Sequence, residues 1–137
     1  MNFDDARQDL VGHIFPLWAA AYATYPFIPP NTPPPDLADQ VNPFVMMHIT
    51  YTSGRQASME YPNPVQRWTG YVLFEVFVRE HTGSKTQTQL IDFLTANAGL
   101  QNIGGVISQV AVPLSPIHFK GWSKLPLRVP FYFDSIN

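Results

Sequence analysis

The chain of 137 residues contains no cysteine. That excludes a disulfide framework, a thiolate metal centre and a cysteine nucleophile, and it gives no sign of an oxidising compartment. Charge is scarce as well. Eight Lys and Arg against ten Asp and Glu leave a net charge of −2, and only 13% of residues are charged, against about 25% in an average soluble domain. So balanced a total does not mark a polyanion as the main partner. A small domain with so few charges is expected to cover part of its exterior with another protein. There is no long apolar run: the nearly apolar stretch 14–23 is interrupted by Pro16 and is well short of the about 20 residues of a membrane helix. The opening Met-Asn-Phe-Asp-Asp is acidic where a signal peptide is basic. A soluble protein made in a cytoplasm is the expectation.

Sites of chemistry are equally hard to find. His13, His48, His81 and His118 have no partner at metal-ligand spacing, so no metal is predicted. Ser53-Gly54 and Thr82-Gly83-Ser84-Lys85 lack the glycine and lysine spacing of a phosphate loop and read as turns. Asp36 and Asp39 sit beside prolines in a surface loop and are not a general acid and base pair. Arg67-Trp68 and Lys120-Gly121-Trp122 place cations beside aromatics, but a strand sends Arg67 and Trp68 to opposite sides. Trp68 is read as a core or sheet-end residue and Trp122 as a plug at a sheet corner. The sequence predicts no enzyme, no cofactor and no catalytic residue.

What the chain does have is proline, aromatics and alternation. Residues 66–80 are rich in β-branched and aromatic side chains and free of proline, as in a central strand. Trp68, Gly70, Val72, Phe74, Val76 and Val78 fall on its core side. Residues 44–52 form a second strand with Val45, Met47, Ile49 and Tyr51 on one side, joined to the first as an antiparallel hairpin with a long tip over 53–65. A third strand is predicted over 106–112. A fourth has Leu125, Leu127, Val129, Phe131 and Phe133 alternating with more polar positions, and its Pro126 and Pro130 mark an edge or a locally open ladder.

Asn2 caps a first helix whose apolar positions run from Phe3 to Ala21, with a kink or break expected at Pro16. A second helix follows Thr82 or Ser84, with Leu90, Ile91, Phe93, Leu94 and Ala98 as its stripe, Thr86, Gln87 and Gln89 in water, and Gly99 as its stop. Between the first helix and the sheet, residues 25–43 hold seven of the fourteen prolines. They are read as an ordered extended connection pinned by Phe27, Ile28, Leu37 and Val41. The predicted fold is a single α+β domain over 1–137, with a mainly antiparallel four-stranded sheet, both helices on one face, and the order α-β-β-α-β-β.

The order of short motifs resembles a known family. Tyr25-Pro26-Phe27-Ile28-Pro29-Pro30 follows the first helix, and a strand then ends in Gly54-Arg55-Gln56-Ala57. Arg67-x-x-Gly70 opens a strand that closes as Val76-Phe77-Val78, and Thr82-Gly83, a helix, Gly121-Trp122 and Val129-Pro130-Phe131 complete the set. This is similar to the tail-terminator, or tail-completion, proteins of long-tailed bacteriophages and related prophage elements, apart from an insertion at 31–42. The resemblance implies a structural virion protein of the tail and neck, assembled in the host bacterial cytoplasm. It implies a ring, usually a hexamer, that caps the head-proximal end of the tail tube and stops its polymerisation. Its partners would be itself, the tail tube protein and the head-tail connector protein. DNA would pass through a polar or mildly charged lumen without sequence readout, and no membrane is involved. The hairpin tip 54–64 and the edge of the last strand are then the expected contact regions, with Arg55, Glu60, Tyr61, Arg67 and Arg128 as candidate assembly contacts. A head-completion or connector ring protein is the nearest alternative, and a small-molecule-binding or hydrolytic domain is the more distant one.

Overall fold

The computed structural model describes residues 1–37, 39–56 and 65–136, with Ile136 described for its backbone alone. The chain runs α1 (Phe3–Ala21), β1 (Phe27–Ile28), β2 (Phe44–Gln56), β3 (Val65–Arg79), α2 (Lys85–Ala98), β4 (Asn102–Ile103), β5 (Val106–Ser108), β6 (Val112–Pro113), β7 (Ile117–Phe119) and β8 (Trp122–Ile136). Among the described residues eight strands make one sheet in the order β1-β2-β3-β8-β5-β4, with β6 and β7 also on β8. The sheet curls into a half-barrel. This corrects the expectation of a four-stranded sheet in the order α-β-β-α-β-β: the long strands are three, and five short ones decorate their edges.

The difference has a local cause. β8 pairs with β3 without interruption from Val65↔Ile136 to Arg79↔Trp122. In an antiparallel strand the N–H and C=O of one residue face the same neighbour. The carbonyls of Pro130 and Pro126 accept from the amides of Gln109 and Leu114, so both prolines turn their missing N–H toward the β5–β6 side. That ladder is interrupted twice, and the segment predicted as one strand over 106–112 becomes β5 and β6 with a gap between them. β8 is therefore an inner strand with one locally open side. β1 comes from the proline-rich segment and pairs with β2 in parallel, Phe27 opposite Val45.

Both helices lie on one face. Ala6, Leu10, Ile14 and Trp18 of α1 and Leu90, Ile91, Leu94 and Ala98 of α2 pack on the alternate residues Val72, Phe74, Val76, Leu127, Val129 and Phe131. The predicted core side of β3 is the observed one. A capping box starts α1: Asn2 Oδ1 accepts from the Asp5 amide at 2.8 Å and Asp5 Oδ2 accepts from the Asn2 amide at 3.2 Å. The helix continues through Pro16 as one element. Pro16 and Gly12, four residues earlier, both face solvent, where water can take up the hydrogen bond that proline removes. Gln87, predicted in water, is buried instead, and its amide donates to the Val76 and Ser123 carbonyls. Gly99 ends α2 in extended conformation, and Leu100, at φ 55, makes the left-handed turn.

On the opposite face a small second core forms from Phe44, Phe77 and Trp122 under Leu37 and Ile28. Phe44 and Phe77 stack at 4.5 Å, and Trp122 Nε1 donates to the Leu37 carbonyl at 3.2 Å. This pins the proline-rich segment at Ile28 and Leu37, while Phe27 is buried in the main core. Val41, predicted as a further anchor, is 76% exposed.

Gly70 lies opposite Tyr51 in the β2–β3 ladder, beside the bulge. A Cβ there would lie 2.3 Å from the Thr50 carbonyl oxygen and 3.1 Å from the Phe131 ring. Gly70→Ala is expected to destabilise the fold by about 1–3 kcal/mol through forced backbone shifts, against the small gain alanine gives in an open strand. Urea denaturation read by tryptophan fluorescence checks this, and an unchanged midpoint contradicts it.

Candidate functional site

The helices cover one side of the sheet and the proline-rich segment covers one end of the other. The remainder of that outer face is open. Its rows follow from the register: Arg55, Arg67 and Asp134 lie across β2, β3 and β8, then Ser53, Thr69 and Tyr132, then Thr50, Tyr71 and Pro130, then His48, Leu73 and Arg128. A bulge between Tyr51 and Ser53 shifts the phase of β2. It puts the hydroxyls of both Thr52 and Ser53 against Thr69, at 3.3 and 2.6 Å.

Two arginines of this face lie over tyrosine rings. Arg67 makes a two-point contact with Asp134, Nε to Oδ1 at 2.8 Å and Nη2 to Oδ2 at 3.0 Å, and its guanidinium lies 4.4 Å from the Tyr132 ring centre. That hydrogen bond to Arg67 is the main reason the Asp134 carboxyl titrates below its usual range, and the same bond raises Arg67. Arg128 lies 4.2 Å over Tyr71 and is exposed. Lys124 meets Glu75 at 2.8 Å, and His48 Nε2 approaches the other Glu75 oxygen at 2.6 Å, outside hydrogen-bond geometry. Arg79 is taken up elsewhere, over Trp122 at 4.4 Å and donating to the Leu37 and Gln40 carbonyls.

Of the predicted contact residues, Arg55, Arg67 and Arg128 share this one face. Arg55 and Arg67 are direct cross-strand partners, and Arg128 lies further along β8. Glu60 and Tyr61 lie outside the described residues, as does most of the predicted tip. Gly54 and Arg55, predicted in the tip, belong to β2. Sequence reading missed Tyr71, Tyr132 and Asp134 as companions of the arginines. Their parity on the two strands was the available signal.

The second surface is the edge carrying β6 and β7. Val110, Val112, Leu114, Ile117 and Phe119 are each between 43% and 60% exposed. Residues 93–119 contain no Asp, Glu, Lys or Arg. The opposite edge of the sheet is β2, which beyond its two β1 pairs has β3 as its one neighbour among the described residues. It too is free of those four residue types from residue 40 to residue 54. The hairpin joining β7 to β8 turns through Lys120 and Gly121, both at positive φ (49° and 81°), the tight geometry that matches strand twist.

A third feature is an open hollow of about 490 Å³ between α2 and the β7–β8 hairpin, lined by Arg79, Glu80, His81, Ser84, Gln87 and His118. Glu80 lies 3.3 Å from His118 Nδ1 and 3.9 Å from His81 Nε2, and both imidazoles are largely in solvent. Among the described residues no group of three or more His, Cys, Asp or Glu can hold a metal ion. Nor, among them, is any helix long and apolar enough to cross a membrane.

No family model matches the chain, and no curated protein matches it. Sixteen chains of solved structures do. One of them, a protein that carries only a sequence identifier, superposes with a TM-score of 0.71 over 97% of this chain and 96% of that one, at 15% identity. The likeness extends to the fold alone.

Because Asp134 is held ionised by Arg67, its lowered pKa contributes stability above the ordinary carboxylate value of about 3.9. That contribution is lost as pH falls through the lower value of the folded state. Wild type is expected to have a higher denaturant midpoint than Asp134→Asn at neutral pH, with the gap closing on acidification. A gap constant down to acid pH contradicts the pairing.

Proposed function

We propose that this chain is a structural subunit that works by lying edge to edge with copies of itself, as a tail-terminator-like ring protein of a long-tailed phage or prophage. In that role the ring caps the head-proximal end of the tail tube, stops its growth and presents a surface to the head-tail connector. The observation that carries the reading is the pair of charge-poor sheet edges, one free of charge over 93–119 and the other over 40–54, short of Arg55. Natural edge strands are usually blunted by charged side chains that discourage pairing with another chain. Here residues 40–54 and 93–119 have none, and the second stretch exposes six large apolar side chains, with Pro113 and Pro116 as its main blunting devices.

The two edges lie on opposite sides of one curved sheet. Joining unlike edges head to tail makes a heterologous contact, which closes into a ring when the rotation between neighbours divides the circle. The motif order from Tyr25 to Phe131 supports the tail-terminator assignment within this class of ring proteins, and the low total charge suits a chain with much of its exterior in contact.

Light scattering with native mass spectrometry over a range of concentrations, with and without tail tubes, tests the reading. The expected species has about six times the 15.5 kDa chain mass. Ile117→Lys and Phe119→Asp are expected to shift it to monomer while leaving the fold intact, since both side chains are exposed. A wild-type protein that stays monomeric under all conditions, tubes included, refutes the proposal.

A further inference from the structure

Leu100 carries two costs at once. Its backbone is left-handed, at φ 55, a conformation that glycine or asparagine adopts far more easily than leucine does. Gly99, the neighbour able to take that position freely, is extended instead. The Leu100 side chain is also 73% exposed, and Val110, next to its backbone partner Gln109, is exposed as well. Strain and exposure combined in one apolar residue point to a contact outside the chain.

The opposite edge holds a receptacle at the same level. Thr50 pairs with Tyr71 and Tyr71 with Pro130, whose carbonyl accepts from the Gln109 amide, and the Gln109 carbonyl accepts from the Leu100 amide. Leu100 therefore ends the row that Thr50 begins. The next residue on β2 is Tyr51, and there an open hollow of about 360 Å³ is lined by Phe3, Tyr51, Thr52, Ser53, Gly54 and Trp68. The Trp68 indole lies across Gly54, where a Cβ would overlap it. The Phe3 ring centre is 4.7 Å from that of Tyr51, edge to face, and 4.9 Å from that of Trp68. Tyr51 donates its hydroxyl to the Phe3 carbonyl at 3.4 Å and Trp68 its N–H to the Ser135 hydroxyl at 3.3 Å, so the walls are set before anything enters and their polar ends are occupied.

We infer that Leu100 of one copy fills the hollow between Phe3, Tyr51 and Trp68 of the next. The inference rests on the ring reading and names its anchor. Knob and hollow lie on opposite edges in the uncharged stretches 93–119 and 40–54, so neither side brings a charge that the contact would have to desolvate. Their equal height along the strands is what cyclic symmetry requires, because copies in a closed ring stand side by side without a step. An apolar side chain seated in a preformed aromatic pocket is the usual form of an interface anchor.

The chain has no cysteine of its own, so engineered pairs read the contact directly. Leu100→Cys and Thr52→Cys in one chain are expected to give a ladder of covalent multimers when the assembled protein is mildly oxidised. Each single variant is expected to stay uncross-linked, and a mixture of the two to stop at pairs. Trp68 supplies a second readout. Trp18 and Trp122 are fully buried, so a blue shift and reduced acrylamide quenching on assembly belong to Trp68 and are expected to vanish in Trp68→Phe. Leu100→Asn, which suits the left-handed backbone, is expected to weaken assembly at least about tenfold while the denaturant midpoint of the separate subunit stays at or above that of wild type. Assembly of wild-type strength in Leu100→Asn overturns the inference. So does assembly without the cross-link or without a change at Trp68, or a fall in the separate subunit's midpoint that accounts for the weaker assembly. Each of these leaves the ring standing, whereas a wild-type protein that never assembles removes both.

Discussion

The unbroken ladder between β3 and β8 is the constraint on which the rest of the structure depends. Fifteen consecutive registers, from Val65↔Ile136 to Arg79↔Trp122, fix which residues of both strands face the helices and which face outward. A slip of one residue would turn Val72, Phe74 and Val76 to solvent and bring Leu73, Glu75 and Phe77 against the helices. The two apolar cores sit on opposite sides of this ladder and hold it from both directions. Trp18 and Trp122, each fully buried, anchor the two sides, and each donates its indole N–H to a backbone carbonyl, Tyr25 and Leu37 respectively.

The long strands and both helices were legible because their signals are periodic. Alternation in β3 and β8 places Phe74 and Val129 inward, and Asn2 with Asp5 announces the start of α1. The short strands were not legible, since two or three residues cannot display a period. The break between β5 and β6 depends on the missing amides of Pro126 and Pro130, which divide that side of β8 into segments. The prolines were visible in the sequence, but the side they open was not. Gln87 misled for a related reason: a glutamine reads as wet until two sheet carbonyls are found to need its amide.

The candidate surfaces divide in the same way. The uncharged run 93–119 can be counted from the sequence, although its position on a sheet edge cannot. The basic face escaped composition altogether, because α1 and the loops carry the compensating acids Asp4, Asp5, Asp9, Asp36 and Asp39. Once the ladder brings β2, β3 and β8 side by side, Arg55, Arg67 and Arg128 share one side with Tyr71 and Tyr132. One fold thus gathers five of its eight basic residues on one sheet face, places most of its acids on the helices and loops, and leaves long stretches of both edges without charge.

Hydrogen exchange of the β6–β7 edge tests the central claim, that association through neutral sheet edges is what this chain is built for. At low concentration the outward amides between residues 110 and 119 are predicted to exchange quickly. At concentrations where the protein assembles they are predicted to become protected together with the free edge of β2, while the exposed face of α1 stays unchanged. Assembly that leaves both edges exchanging freely would contradict the account.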